Sequence, residues 1–303
     1  LQEMLTQHGF TTVFDTGSMW ENTRALRQRV ESGEVAGPAI FTSGEILLPK
    51  GGQFPAEVMR TMGFMPLDFP ELADAETART RAKSMLESGV DALKIYAGTW
   101  MGPQVVMPVE MVRAIAEEAH RYNRLVIAHP SNLEGIRAAL DGGADALVHT
   151  APASGRWSNE LVAEMKKRNM ALIPTLKLWK YEARHDRILL RQMLTDAAVE
   201  QLRGFHQAGG TVLFGTDVGY MEDYDPIEEF ALMARAGMDF RQILASLTSA
   251  PAERFGRATR KGELRPGMDA DVVVLDGDPR KDVRAFARVK YTVRVGSVIF
   301  SAP

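Results

Sequence analysis

Hydrophobic positions in this chain fall in short runs separated by longer amphipathic stretches, and one three-part unit recurs. A stretch with helical spacing ends at a glycine, a short apolar run follows, and a polar residue closes it. LQEMLTQHG, FTTVF and Asp15 form one copy. ARTRAKSMLESG, VDAL and Lys94 form another, LEGIRAALDGG, ADALV and His149 a third, and LRGFHQAGG, TVLFGT and Asp217 a fourth. Gly9, Gly89, Gly143 and Gly210 stand where a left-handed residue would end each helix. The apolar runs are rich in Val, Ile and Leu, as strands buried on both faces are. Seven strands are predicted, at 11–15, 39–43, 92–96, 125–129, 146–149, 171–174 and 212–217. Alternation of helices with such strands predicts an α/β fold with a parallel sheet. A closed (β/α)8 TIM-type barrel needs eight strands. On that reading strands 2–8 are present and strand 1 lies before Leu1; an open seven-stranded sheet is the alternative.

Two stretches break the pattern. Residues 44–70 are too long and too rich in Gly and Pro for a tight turn, and are predicted to form a long loop over the barrel mouth. Beyond about Pro251 the helix–strand alternation stops. Val272–Leu275 reads as a strand followed by an Asp-Gly-Asp-Pro turn, and Val289–Val295 and Val298–Phe300 as strands joined at Gly296-Ser297. The expected division is a barrel over 1–250, truncated at its N-terminus, and part of a small composite β-sandwich over 251–303. So few strands make a poor core alone, so the missing strands are expected upstream of Leu1. Leu1, Met4 and Leu5 have helical spacing, which predicts a helix over Leu1–Gln7.

Composition narrows the partners. The 303 residues are 45% hydrophobic and 25% charged with net charge −3, which gives no reason to expect nucleic acid or a membrane surface. A small-molecule substrate is expected, and a homo-oligomer stays open. No apolar run reaches the roughly 18 residues of a membrane span. The absence of cysteine excludes disulfides and thiolate metal sites. It leaves the compartment open between cytoplasm and periplasm or exterior.

Catalytic side chains of a β/α barrel project from the C-terminal strand ends. Asp15, Ser43, Lys94, His129, His149, Thr175 and Asp217 are the polar residues at those ends. Two histidines, an aspartate and a lysine on separate strands would converge at one mouth. Imidazole nitrogen and carboxylate oxygen suit Zn²⁺ and similar divalent ions. Such an ion lowers the pKa of bound water to about 7, supplying hydroxide at neutral pH. Asp217 would shuttle the proton to the leaving group. Lys94 needs to be neutral to sit by a cation. It would then either form a carbamate with CO₂ and bridge two metals, or stay an amine and hold a substrate carboxylate. His8, His120, His185 and His206 read as surface or structural, and Asp15 as a hydrogen-bonding carboxylate.

The order Lys94, His129, His149, Asp217 at successive strand ends resembles the amidohydrolase superfamily. GVDALKIYAG (89–98) is similar to its strand-four motif, and AHPSNLEGIRAALDGGADALVHT (128–150) to its strand-five and strand-six histidines. GGTVLFGTDVG (209–219) is similar to its strand-eight aspartate, and SAPAERFG with KGELRPGMDADVVVLDGDP (249–279) to its C-terminal β-sandwich. The imidazolonepropionase-like and prolidase-like branch matches best. The resemblance implies metal-dependent hydrolysis of C–N bonds in amides, cyclic amides or dipeptide-like substrates, with esters, carbamates and phosphotriesters as alternatives. It implies one or two Zn²⁺ or other divalent ions, held by Lys94, His129, His149 and Asp217. It also implies a substrate contact from Tyr96. Lys177, Trp179, Tyr181 and Tyr220 follow strands seven and eight; of these, Lys177 and Tyr220 are expected to contact substrate. One departure stands out: the family's first-strand His-x-His pair is absent from this sequence. The pair is expected upstream of Leu1 or on a separate chain, and the rival reading is a catalytically incomplete barrel that binds a ligand or partner.

Overall fold

The computed structural model describes residues 1–52, 70–99 and 104–303. Strand β1 (Thr12–Asp15) pairs in parallel with β2 (Ala39–Thr42). A second, wholly parallel sheet contains β3 (Ile46–Pro49), β4 (Glu71–Leu72), β5 (Ala92–Tyr96), β6 (Leu125–His129), β7 (Ala146–Val148) and β8 (Ala171–Ile173). Its order is β4-β3-β5-β6-β7-β8. The Asp91 N–H donates to the Thr42 carbonyl at 2.7 Å, which carries β2 onto β5. Helices between the strands cover the outside, giving the α/β, TIM-type barrel wall that the alternation predicted.

Two-residue periodicity splits each strand between two cores. Ala92, Ile127, Ala146, Val148, Ala171 and Ile173 meet inside the barrel. Leu93, Ile95, Val126, Ala128, Leu147 and Leu172 face outward against the helices. The helix Val109–Arg121 presents Met111, Val112, Ile115, Ala116 and Ala119 to that outer layer. Gly89 and Gly143 are left-handed at the ends of the helices Ala75–Ser88 and Leu133–Gly142, as their spacing predicts. In the fourth copy the left-handed residue is Gly209, and Gly210 is pressed onto the Phe205 ring.

The structure corrects three other expectations. Within 44–70, Ile46–Pro49 is a buried strand of the barrel wall and Glu71–Leu72 pairs with it; residues 53–69 of the expected loop lie outside the described residues. Gly44, at φ 65°, makes the turn that ends β2 and starts β3. Second, 212–217 is not a strand. Val212 makes one parallel bridge to Leu172. The Phe214 N–H then donates to the Ser246 carbonyl of the helix Phe240–Leu247 at 2.9 Å, and Gly215 lies against Ile173. Third, the N-terminal helix is a single turn followed by a 3-10 turn, Thr6–His8, closed by left-handed Gly9. Among the described residues no ladder joins β1 to 212–217, so the barrel has a seam there.

Strands β9 (Val272–Leu275), β10 (Val289–Arg294) and β11 (Ser297–Ser301) form an antiparallel sheet in the order β11-β10-β9. The hairpin turns at Val295-Gly296, both with positive φ, one residue earlier than predicted. The Thr292 hydroxyl donates to the Thr6 carbonyl at 2.6 Å and ties this sheet to the N-terminal turn. No helix among the described residues is long and apolar enough to cross a membrane.

Candidate metal centre

A cavity of about 1100 Å³ runs from the strand ends along the seam toward β9. Lys94, Tyr96, His129, His149, Thr175 and Asp217 all line it. Lys94 and His129 reach it because they share the inward register of Ala92 and Ile127; β5 and β6 are aligned with Tyr96 opposite His129. His149, Thr175 and Asp217 arrive differently. His149 and Thr175 follow the ends of β7 and β8, and Asp217 follows the Val212 bridge, each with left-handed backbone, at φ 79°, 45° and 63°. Non-glycine residues adopt that conformation at an energetic cost, and such strain concentrates at functional sites.

The sequence-predicted quartet is therefore brought together at one mouth. The His129 and His149 rings meet edge-on at 4.8 Å, and Tyr96 stacks on His129 at 4.3 Å. Lys94 Nζ lies 5.6 Å from the centre of the Tyr96 ring. Burial lowers both histidines well below their ordinary value, and the neighbouring Lys94 charge adds to this. Both imidazoles are neutral at pH 7, the form that can ligate a metal. Burial also draws Lys94 down to about 7, against the pull of Asp217. Asp217 is raised to about 6 by burial, with Lys94 pulling down and Glu182 pushing up.

The residues fit a divalent ion on one specific ground. Among the described residues, His129 Nδ1 and Nε2 are both buried without a hydrogen-bond partner. A buried imidazole left so is rare unless something outside the chain satisfies it. Among the described residues no three His, Cys, Asp or Glu side chains form a metal-binding group by themselves. Lys94 stands in the same cavity, and its lowered pKa makes the neutral amine accessible.

The expected substrate contacts divide. Tyr96 lines the cavity, and burial raises its hydroxyl above the ordinary value. Tyr220 lines it too and hydrogen-bonds Glu182, its ring edge-on to Tyr181 at 5.9 Å. Lys177 does not join them. Its Nζ is buried against the 223–225 loop, 2.8 Å from the Asp223 carboxylate and 2.6 Å from the Asp225 carbonyl. Trp179 packs inside, donating to Thr150 Oγ1 at 2.7 Å. His120 pairs with Asp145 at 2.9 Å, a structural role as expected. Asp15 accepts hydrogen bonds from Thr42 and Gly17, again as expected. The sequence reading passed over Glu182 and expected His8 to be surface or structural, yet both line the cavity. Glu182 is an acid at a helix end with no periodic signal, and His8 enters the lining through the N-terminal turn.

The profile of the Amidohydrolase family matches residues 2–301. The ochratoxinase of Aspergillus niger is 27% identical over 331 residues, covering 98% of this chain and 66% of the relative. The chain thus spans 66% of the length of the curated relatives it matches over nearly its full extent. A crystal structure of a Xaa-Pro dipeptidase with bound methionine superposes with TM-score 0.85 at 22% identity, covering 98% of this chain and 76% of the other. The crystal structure of A. niger ochratoxinase gives TM-score 0.81 at 22% identity, covering 98% and 73%. At that identity the two structures establish a shared fold.

Proposed function

We propose, from the premise that this chain belongs to the amidohydrolase family, that it hydrolyses C–N bonds of small amides, cyclic amides or dipeptide-like molecules at the cavity mouth. The observation that carries this reading is the buried, unpartnered imidazole of His129 beside His149, Lys94 and Asp217. Lys94, His129, His149 and Asp217 would hold one or two divalent ions, with Zn²⁺ suiting this donor set best. Lys94 would serve as a neutral amine or as its CO₂-derived carbamate. Held there, a divalent ion would supply Lewis acidity toward a carbonyl and lower the pKa of water to about 7.

The chain's own residues supply the rest. An Asp217 carboxylate near 6 can accept a proton at Oδ and return it to a leaving amine close to neutral pH. Tyr96 and Tyr220 border the substrate space, the latter oriented by Glu182. Identity to an ochratoxinase supports a small-molecule substrate. Esters, carbamates and phosphotriesters fall within reach of the same attack. In this reading residues 1–250 are the barrel and 251–303 belong to a β-sandwich.

Asp217→Asn is the direct test. Turnover of an amide panel should fall by about 10²–10⁴-fold while metal content, measured on the same sample, stays constant. Full turnover in that variant would remove the assigned role. A second reading, a barrel that binds a ligand or partner without turning it over, is favoured by the seam between β1 and 212–217. Metal loading without turnover of any panel member in the unsubstituted chain would select it.

A further inference from the structure

The helix Leu176–Glu182 starts without the cap its own sequence offers. Thr175 occupies the N-cap position, where a threonine hydroxyl ordinarily accepts an N–H of the first turn, yet it makes no such bond. Its Oγ1 is engaged elsewhere. It donates to the Pro174 carbonyl at 2.9 Å and lies 2.7 Å from His149 Nδ1. A hydroxyl has one proton to give. With that proton on Pro174, the oxygen accepts from His149 Nδ1–H, and Nε2 is left as the unprotonated nitrogen. The opposite tautomer would press two acceptors together at one of the two contacts.

The missing cap comes from far along the chain. Glu229, fully buried on the helix Ile227–Arg235, accepts the Leu176 N–H through Oε1 at 2.9 Å. Its Oε2 accepts the Lys177 N–H at 2.7 Å. One carboxylate thereby satisfies two of the helix's open donors. Thr175 is held at φ 45° and ψ 54°, a conformation that a β-branched residue disfavours. With Glu229 capping, the Thr175 hydroxyl is free to face His149.

We propose that Glu229 is a positioning residue that acts through Thr175 to hold His149 as the Nδ1–H tautomer, with Nε2 ready to ligate. This rests on the proposed function only in what His149 Nε2 would bind; the tautomer itself can be read without metal or turnover. Nitrogen-15 imidazole spectra of the metal-free protein at pH 8, followed by Zn²⁺ titration of the same samples, test it. The unsubstituted chain should show His149 as a single Nδ1–H species. Thr175→Ala should yield mixed tautomers and weaken Zn²⁺ binding by about 10–100-fold, and Thr175→Ser should restore both. Glu229→Gln should shift both readouts in the same direction by less. The double variant Glu229→Gln/Thr175→Ala should bind no more weakly than Thr175→Ala alone, because both act on one hydrogen bond.

An Nε2–H tautomer in the unsubstituted chain overturns the proposal. So does Glu229→Gln with an unchanged His149 spectrum, or additive losses in the double variant. Should Glu229→Gln fail to fold, Glu229→Asp, which keeps the charge and shortens its reach, gives the same spectral readout. Failure of the unsubstituted chain to bind Zn²⁺ would count against the proposed function and leave the tautomer reading to stand on the spectra.

Discussion

The two sides of the barrel are built differently. Along β5–β8 every strand has ladder partners on both sides or leans on a bridge to Val212, and all of β5 is buried. At the seam, β1 is half-buried along its whole length and, among the described residues, pairs with β2 alone. Lys94, His129 and His149 belong to the first side, and Asp217 to the second. Lys94 and His129, two of the groups that would grip an ion, therefore stand on laddered backbone, and His149 follows directly on β7. The group that would carry a proton stands where the backbone is held by one bridge, a helix carbonyl and a left-handed turn. Under the proposed function, a site divided this way would keep its grip fixed while the proton carrier has room to adjust.

That contrast can be broken by mutation. The largest expected effect is at Ile127, fully buried at the barrel's interior. Ile127→Ala should cost about 2–5 kcal/mol, measured by urea denaturation, toward the upper end because neighbouring strands cannot collapse into the gap. A loss below about 1 kcal/mol would mean this wall is as loosely packed as the seam.

Next comes Glu229, which braces the end of β8. Burial pushes its carboxyl up from 4.5 to about 7, against the Lys177 and Leu176 N–H bonds and the Lys177 charge. Because the folded value lies above the unfolded one, the folded chain holds the proton more tightly. The stabilisation is full below pH 4.5 and is lost as pH rises toward 7. The shift corresponds to on the order of 3 kcal/mol across that window. Glu229→Gln should flatten the stability–pH curve there, and an unchanged slope would show that Glu229 does not titrate in it.

The smallest effect is expected on the seam. Val13→Ala on half-exposed β1 should cost about 1 kcal/mol. A cost equal to that of Ile127→Ala would erase the distinction between the two sides.

What the sequence made legible follows the same division. The β5–β8 strands announce themselves because each apolar run is set off from its helix and closed by a polar residue. That closing residue is also why Lys94, His129, His149 and Asp217 could be picked out. Ile46–Pro49 was hidden because four apolar residues between Ser-Gly-Glu and Lys-Gly-Gly look like loop. Residues 212–217 were misread because nothing local reveals that the Ser246 carbonyl diverts Phe214. Lys177 has the right place in the order of elements, but the 223–225 loop claims its ammonium first. Glu229 could not have been found by spacing, since its partner N–H lies 53 residues away.

The left-handed residues also say which replacements the scaffold will accept. At His149, Thr175 and Asp217 the backbone already demands a conformation that Asn tolerates far better than β-branched residues do. Asparagine at 149 or 217 should therefore erase the chemistry while leaving the turn relaxed, whereas valine there would distort it. Under the proposed function, the Asp217→Asn variant would be an inert copy of the protein, suited to holding an uncleaved substrate in place long enough for it to be captured and identified.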